Sequence, residues 1–119
     1  MKIVIAGPKG VGKSTVAEEL ARITGLFPVE TDTLIETCFT KKYNKQMTCR
    51  QIYLEYGKHA FREMEAHVIT QLRDAEWKLV VCGGSSLVDP ECRRALRHNA
   101  VIIYLTADTE QIWANMEKD

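Results

Sequence analysis

The residues best suited to chemistry stand near the amino terminus, as Gly7-Pro8-Lys9-Gly10-Val11-Gly12-Lys13-Ser14. This run has the spacing G-x-x-x-x-G-K-S, which is typical of a loop that binds phosphate. Its glycines let the backbone bend so that successive N–H groups point at phosphate oxygens, and a helix starting there adds orphan donors and partial positive charge. We expect Lys13 to contact the β- and γ-phosphates of a nucleotide and the Ser14 hydroxyl to bind Mg²⁺. The pattern predicts nucleotide binding and leaves the phosphate acceptor open.

The segments on either side of this loop support the interpretation. Residues 2–6 form a short apolar run, as expected of a buried parallel strand. Residues 13–24 have apolar side chains four and three positions apart, which predicts a helix, and Gly25 is placed to end it. A glycine-rich turn that matches by chance is the plain alternative, and the strand–loop–helix context argues against it.

The composition bounds the class of protein. A chain of 119 residues is expected to form one domain, covering 1–119. Lys plus Arg and Asp plus Glu both number 16, so bulk charge gives no indication of a nucleic-acid or membrane partner. The four cysteines form no C-x-x-C pair, which favours free thiols over a metal site. With no apolar run of membrane-spanning length and no signal peptide pattern, we expect a cytoplasmic protein.

Strands and helices alternate along the rest of the chain. Further strands are predicted over 26–30, 77–82 and 100–105. This alternation indicates an α/β fold with three layers, an open parallel sheet with helices on both faces. The last of these strands is apolar over 101–105, as in a strand covered on both faces.

Capping residues mark where the helices begin. The expected N-terminal caps are Asp32, Thr48 with Gln51, Asp89 ahead of Pro90, and Asp108. Gly57 is expected to end the helix that begins after Thr48, so that a longer helix follows over 58–75. Residues 41–45 are expected to form a solvated basic loop, and 83–86 a second loop.

Further candidate site residues follow the strands. In an open α/β sheet, ligands collect beyond the carboxyl ends of the strands, where Glu30, Asp32 and Gly83-Gly84 are expected. Arg62 and Glu65, three residues apart on the long helix, are neighbours on one side of it. Each of these residues also has a purely structural interpretation: Asp32 as a helix cap, Glu30 as a strand end, Arg62 with Glu65 as a surface ion pair, and Gly83-Gly84 as a plain turn. The expected position of all these residues at one sheet edge favours a site.

These residue types suggest phosphoryl transfer to a small hydroxylated anion. A carboxylate near the acceptor hydroxyl would orient it and accept its proton. An arginine would hold an acceptor carboxylate by a two-pronged contact, and glycines would let the acceptor approach the backbone.

Several pieces of the chain together resemble the shikimate kinase family. They are Gly-Pro-Lys-Gly-Val-Gly-Lys-Ser-Thr-Val at 7–16, Thr-Asp-Thr-Leu-Ile-Glu at 31–36, Ile-Tyr-Leu-Glu-Tyr-Gly at 52–57, Phe-Arg-Glu-Met-Glu at 61–65, Gly-Gly at 83–84 and Val-Ile-Ile-Tyr-Leu-Thr-Ala at 101–107. The phosphate-binding loop is shared by many kinases, whereas Phe-Arg-x-x-Glu followed by a strand and Gly-Gly is more specific. The resemblance implies the strand order 2-3-1-4 and transfer of the ATP γ-phosphate to the 3-hydroxyl of shikimate, in aromatic amino-acid biosynthesis.

The resemblance also implies roles for individual residues. ATP would be bound by Gly7, Pro8, Lys9, Gly10, Val11, Gly12, Lys13, Ser14 and Thr15. Mg²⁺ would be held by Ser14 and, through water, by Glu30. Lys13 and Asp32 would be catalytic, Asp32 as the base that also binds the shikimate hydroxyls. The remaining substrate contacts would be Arg62 on the carboxylate, Glu65 steering that arginine, Gly83 and Gly84 lining the substrate, and Tyr53 and Phe61 walling the pocket.

The chain departs from the family pattern in three places. The family has Asp-x-Asp where this chain has Glu30-Thr31-Asp32, and a third glycine where it has Ser85. Family members also continue beyond Lys118-Asp119 into a lid loop with an arginine, a fifth strand and a second substrate-binding arginine. We therefore expect weak or absent turnover. We also expect residues 101–105 to form an edge strand that pairs with a second chain, in a homodimer or an exchanged assembly.

Two other functions stay open at this point. One is a non-catalytic nucleotide-binding module, and the other is a different small-molecule kinase, such as a gluconate-type kinase. Arg62 within Phe-Arg-x-x-Glu, together with Gly83-Gly84, argues against the second.

Overall fold

The computed structural model describes residues 1–8 and 10–106. Its strands are β1 (Lys2–Gly7), β2 (Phe27–Glu30), β3 (Lys78–Gly83) and β4 (Ala100–Tyr104). Its helices are α1 (Lys13–Thr24), α2 (Thr31–Tyr43), α3 (Cys49–Thr70) and α4 (Pro90–Arg97), with a 3₁₀ turn over Gly84–Leu87. The helix expected after Asp108 lies outside the described residues. In the described part of the chain, no helix has the length and apolar character needed to cross a membrane.

The four strands form one sheet in the order β2-β3-β1-β4, and every neighbouring pair is parallel. Ile5 in β1 is in register with Val81 of β3 and Ile103 of β4. This arrangement confirms the predicted α/β class and the predicted strand order.

Helices cover both faces of the sheet. Because successive strand residues point to opposite faces, Val4 and Ala6 join the cluster that includes side chains from α2, α3 and α4. Ile5, between them, packs on the other face with Ala17 of α1. The face that carries α2 and α3 is therefore the one on which the predicted acceptor residues lie.

Two predicted helix boundaries are confirmed by the geometry. The Thr48 hydroxyl accepts a hydrogen bond from the Gln51 backbone N–H at 3.2 Å, and the Gln51 side chain accepts one from the Thr48 N–H at 2.9 Å. Gly57 has non-helical backbone angles (φ 91°), which divide α3 into two helical segments. Glycine suits this position because residues with a side chain rarely adopt a positive φ.

The start and end of α2 differ from the prediction. Glu30 occupies the N-cap position and Asp32 lies in the first turn, because β2 leads into α2 without an intervening loop. The helix continues to Tyr43, so that part of the expected basic loop is its last turn, where positive charge favours the helix dipole. Asn44 ends it in the left-handed conformation.

Two further boundaries also differ. The helical segment expected over 58–75 ends at Thr70, and turns occupy residues 71–74. The stretch expected to be a loop at 83–86 is instead the end of β3 followed by the 3₁₀ turn.

Candidate active site

The carboxyl ends of the strands meet at one edge of the sheet. Gly7 at the end of β1 is in register with Gly83 at the end of β3, and Glu30 at the end of β2 is in register with Val81. The Leu105 N–H, just beyond β4, donates to the Ala6 carbonyl at 2.8 Å. The predicted site residues that follow these strands are therefore gathered as the sheet topology requires.

The phosphate-binding loop leaves β1 through a position that excludes a side chain. A Cβ atom at Gly7 would lie 2.6 Å from the Leu105 carbonyl oxygen and 3.1 Å from the Val11 side chain. Real Cβ atoms do not approach backbone oxygen so closely, so a larger residue would displace the loop. Lys9 lies outside the described residues.

Lys13 reaches back across the ends of the two central strands. Its ammonium group donates to the Gly7 carbonyl at 2.8 Å and to the Cys82 carbonyl at 3.2 Å. An ammonium has three N–H donors, so one more can be given to a ligand. These two bonds hold the positive charge over the mouth of the loop.

The start of α1 has no side chain that satisfies its first N–H groups. The N-cap residue is Gly12, with no side-chain capping bond, and the first turn contains no acidic residue. Ser14 and Thr15, which follow Lys13 in this turn, are exposed. The orphan N–H groups and the positive end of the helix dipole therefore suit the phosphates of a nucleotide.

Oxygen donors that suit Mg²⁺ stand beside this helix start. Ser14, Glu30 and Thr33 line one cavity of ≈430 Å³. Among residues 1–8 and 10–106, no group of three or more His, Cys, Asp or Glu side chains could hold a metal by itself. Mg²⁺ commonly takes one or two protein oxygens and completes its shell with phosphate and water.

Asp32 lies where the starts of α2 and α3 meet. Its carbonyl accepts a hydrogen bond from the Cys49 thiol at 3.5 Å, and the Glu36 carboxylate accepts one from the Cys49 N–H at 2.8 Å. Burial, followed by the charges of Asp32 and Glu36, raises the pKa of Cys49 to about 12. The Asp32 side chain itself is exposed at this junction.

Arg62 is held by a buried carboxylate. One Nη atom of Arg62 donates to Glu65 Oε1 at 2.8 Å, and the Ser86 hydroxyl donates to Glu65 Oε2 at 3.2 Å. Glu65 is 5% exposed and Ser86 1% exposed, while the Arg62 side chain is one-third exposed. The inner end of this network is fixed in the protein interior, and the Arg62 side chain at its outer end is partly exposed.

Tyr53 and Phe61 stand on either side of the break at Gly57. Their ring centroids are 5.9 Å apart in an edge-to-face arrangement. Phe61 also packs against the core formed by α2, α3 and α4, which anchors the pair one residue before Arg62. The sequence-predicted aromatic wall and the sequence-predicted arginine are therefore adjacent.

Sequence reasoning missed two residues at this edge. Cys82, the last residue of the strand predicted over 77–82, is subject to the charges of Lys13, Glu65 and Asp32. Burial raises the pKa of its thiol to about 11, Lys13 opposes the rise, and Glu65 and Asp32 add to it. The signal for Cys82 was its place directly before Gly83, whereas nothing in the sequence pattern marked Ser86 as the partner of Glu65.

Comparison with known proteins gives a consistent result. The family model for shikimate kinase matches residues 9–119. A shikimate kinase of Rhodopseudomonas palustris is 33% identical over 98% of this chain and 54% of its own length. The solved structure of the shikimate kinase from Acinetobacter baumannii in complex with shikimate has a TM-score of 0.83 and 25% identity, covering 99% of this chain and 63% of that one.

A solved structure with lower sequence identity supports the fold alone. The shikimate kinase from Bacteroides thetaiotaomicron has a TM-score of 0.85 at 18% identity, covering all of this chain and 64% of that one. The chain spans about half the length of the curated relatives that it matches first, 54% and 51%. On the family model and the sequence identity, this chain belongs to the shikimate kinase family.

Proposed function

We propose that the chain is an ATP-dependent phosphotransferase that acts on shikimate or a closely similar hydroxy acid. The observation that carries this proposal is the pairing, at one sheet edge, of a phosphate-binding loop with an arginine oriented by a buried carboxylate. A nucleotide-binding site alone would require only the first of these. Names and structures of relatives, one of them described with shikimate bound, add support for the acceptor.

The residues of the chain divide into two sets in this proposal. The N–H groups at the start of α1 and the Lys13 ammonium stabilise negative charge on the transferring phosphoryl group. Bound Mg²⁺, held through Ser14 and through water by Glu30, supplies further neutralisation of phosphate charge. Val11, Thr15 and the other loop residues position the nucleotide.

On the acceptor side, Asp32 orients the reacting hydroxyl and accepts its proton. Arg62 binds the acceptor carboxylate; a guanidinium has several N–H donors in a planar fork, so an arginine held by one carboxylate can still bind another. Glu65 and Ser86 fix the direction of Arg62. Gly83 and Gly84 lie against the acceptor, with the Tyr53 and Phe61 rings as a wall.

The test is ³¹P NMR of the purified chain with Mg-ATP and shikimate. We expect shikimate phosphate to form, and Lys13→Ala to abolish its formation. Arg62→Lys should raise KM for shikimate about tenfold or more, since lysine lacks the two-pronged fork, while KM for ATP stays within about twofold. The matched control is Arg22→Lys, because Arg22 also pairs with a glutamate three residues away, at 2.7 Å, on an exposed helix face.

The outcomes separate the alternatives. An absence of product, with Mg-ADP still bound, would overturn the phosphotransferase and leave a nucleotide-binding module. Product formed from gluconate and not from shikimate would overturn the acceptor assignment.

We further propose that β4 mediates assembly with a second copy of the chain. It is the last strand in the described sheet, and Val101 and Tyr104 are 46% and 52% exposed. Exposed apolar edge strands pair with other chains. Light scattering at tens of micromolar should give a dimer that Val101→Lys dissociates; a monomer at that concentration would contradict the proposal.

Use of ATP and the four free cysteines support a cytoplasmic location.

A further inference from the structure

A groove at the opposite end of the sheet from the phosphate-binding loop gathers positive charge. It has a volume of ≈870 Å³ and lies between the ends of α3 and α4. We call it the basic groove and define it by Arg73, Arg93, Arg94, Arg97, His98 and Glu91. Although the chain as a whole has a formal net charge of zero, the groove contains four arginines and a single carboxylate.

These arginines have no ionic partners in the described structure. Among residues 1–8 and 10–106, Arg22 and Arg62 form ion pairs, whereas the four arginines of the basic groove form none. In the same region, the Asp74 carboxylate lies 3.5 Å from His98 Nε2. Four like charges in one groove repel each other, and a bound anion would relieve that repulsion.

The helix dipole explains only part of this arrangement. Arg94 and Arg97 lie in the last turn of α4, where positive charge is favourable. Arg93 comes directly before that last turn, where the effect of the α4 dipole is weaker, and Arg73 comes from the turn after α3, for which the α4 dipole does not account. Residues from two separate segments therefore converge on the same space.

The size and chemistry of the groove define its ligand. Its volume is in the range of small-molecule sites. Guanidinium groups match phosphate oxygens with two parallel hydrogen bonds, and several of them favour an anion with more than one charge. We propose that the basic groove binds a small phosphate-bearing anion that carries at least two negative charges.

This site is separate from the nucleotide phosphates. Lys2, the first residue of β1, is buried, and its ammonium donates to the backbone carbonyls of Arg73 and His98 at the edge of the groove. Gly7, at the other end of β1, opens the phosphate-binding loop. At about 3.3 Å per strand residue, the two ends of β1 are about 17 Å apart.

The experiment uses inorganic pyrophosphate and the full chain carrying Lys13→Ala, so that phosphate binding at the loop is weakened. Calorimetric titration at low salt should show one site whose affinity falls as salt rises. Adding Arg94→Gln and Arg97→Gln together should weaken binding roughly tenfold, and Arg73→Gln should weaken it several-fold. The matched control is Arg22→Gln with Arg50→Gln, both exposed helix positions outside the groove.

The results decide the proposal in either direction. Equal binding by the groove variants and the control, or no binding by the Lys13→Ala chain, would overturn it. Groove-dependent binding of a single-stranded RNA or an acidic peptide, without binding of pyrophosphate, would also overturn it. Because all groove arginines are exposed, we expect the variants to fold, which circular dichroism checks; Arg73→Gln decides alone if the double variant does not fold. None of these binding measurements depends on catalysis. A negative result for the basic groove therefore leaves the proposed phosphotransferase activity untouched.

Discussion

The starts of α1 and α4 show two different ways of treating the same backbone groups. At α4, one oxygen of the Asp89 carboxylate accepts hydrogen bonds from the N–H groups of Glu91 and Cys92 at 2.8 and 3.3 Å. At α1, Gly12 offers no side chain, and no acidic residue follows in the first turn. Helix α4 has a cap from its own side chain, whereas α1 leaves its first N–H groups without a side-chain acceptor.

Free energy for anion binding is available where the backbone donors at a helix start have no acceptor within the chain. A helix start satisfied by its own side chain contributes to folding stability, while one left open contributes to anion binding and gains little in stability. The capping box at α3 belongs with α4 in this respect. Changes at α1 should therefore alter ligand binding, and changes at α3 and α4 should alter stability.

The largest effect is expected from giving α1 a cap of its own. Gly12→Asp places a carboxylate at the N-cap, where a Cβ meets no atom within 4 Å. We expect affinity for Mg-ADP to fall about 100-fold or more, because the carboxylate competes for the same N–H groups and repels phosphate. The free energy of unfolding should change by less than about 1 kcal/mol, since the capping gain offsets the left-handed backbone strain.

Calorimetry and urea denaturation measure these two quantities. The matched control is Gly25→Asp, at the other end of α1, where the backbone is also left-handed (φ 75°) and a Cβ also meets nothing. It should leave Mg-ADP affinity within about twofold, because the carboxylate is then remote from the phosphates. Equal loss of affinity in both variants would remove the distinction between the two ends.

A second effect, on stability, is expected from crowding the entrance to the loop. Gly7→Ala would force the new methyl against the Leu105 carbonyl and should lower the free energy of unfolding by about 1–3 kcal/mol. Gly25→Ala, with open space around the added methyl, serves as its control and should cost only the strain of the left-handed backbone, about 1 kcal/mol. Urea titrations that give the same loss for both variants would contradict the close approach described at Gly7.

The smallest effect is expected at the capped helices. Asp89→Ala should lower the free energy of unfolding by about 1 kcal/mol, the usual value of an N-cap, and leave Mg-ADP affinity unchanged. Thr48→Ala should behave in the same way at α3. A several-fold change in Mg-ADP affinity for either variant would show that capped helix starts also take part in phosphate binding.

Much of the fold could be predicted because local patterns and global topology agree. Strand–helix alternation and the loop at Gly7–Ser14 were enough for the α/β class, and the family resemblance supplied the strand order. The capping box at Thr48 and the break at Gly57 were visible because their geometry depends on residues within one turn. The cap expected at Asp32 was wrong because β2 runs straight into α2, and the distance between two elements is not a local property of sequence.

The candidate site was predicted less completely for the same reason. The pairing of Arg62 with Glu65 follows from helical spacing, but the bond from Ser86 joins residues 21 positions apart. The thiol of Cys82 acquires its charged surroundings from the phosphate-binding loop, α2 and α3 together. Contacts of this kind depend on packing between elements, which periodicity does not determine.

An amide NMR titration with Mg-ADP shows whether the open start of α1 is the nucleotide phosphate site. We predict that the earliest and largest shifts fall on the N–H groups of Gly10, Gly12, Lys13, Ser14 and Thr15. The capped N–H groups of Gln51, Glu91 and Cys92 should stay in place at the same ADP concentration. Shifts at the capped starts as large as those at α1, or none at residues 10–15 with ADP bound, would contradict the account.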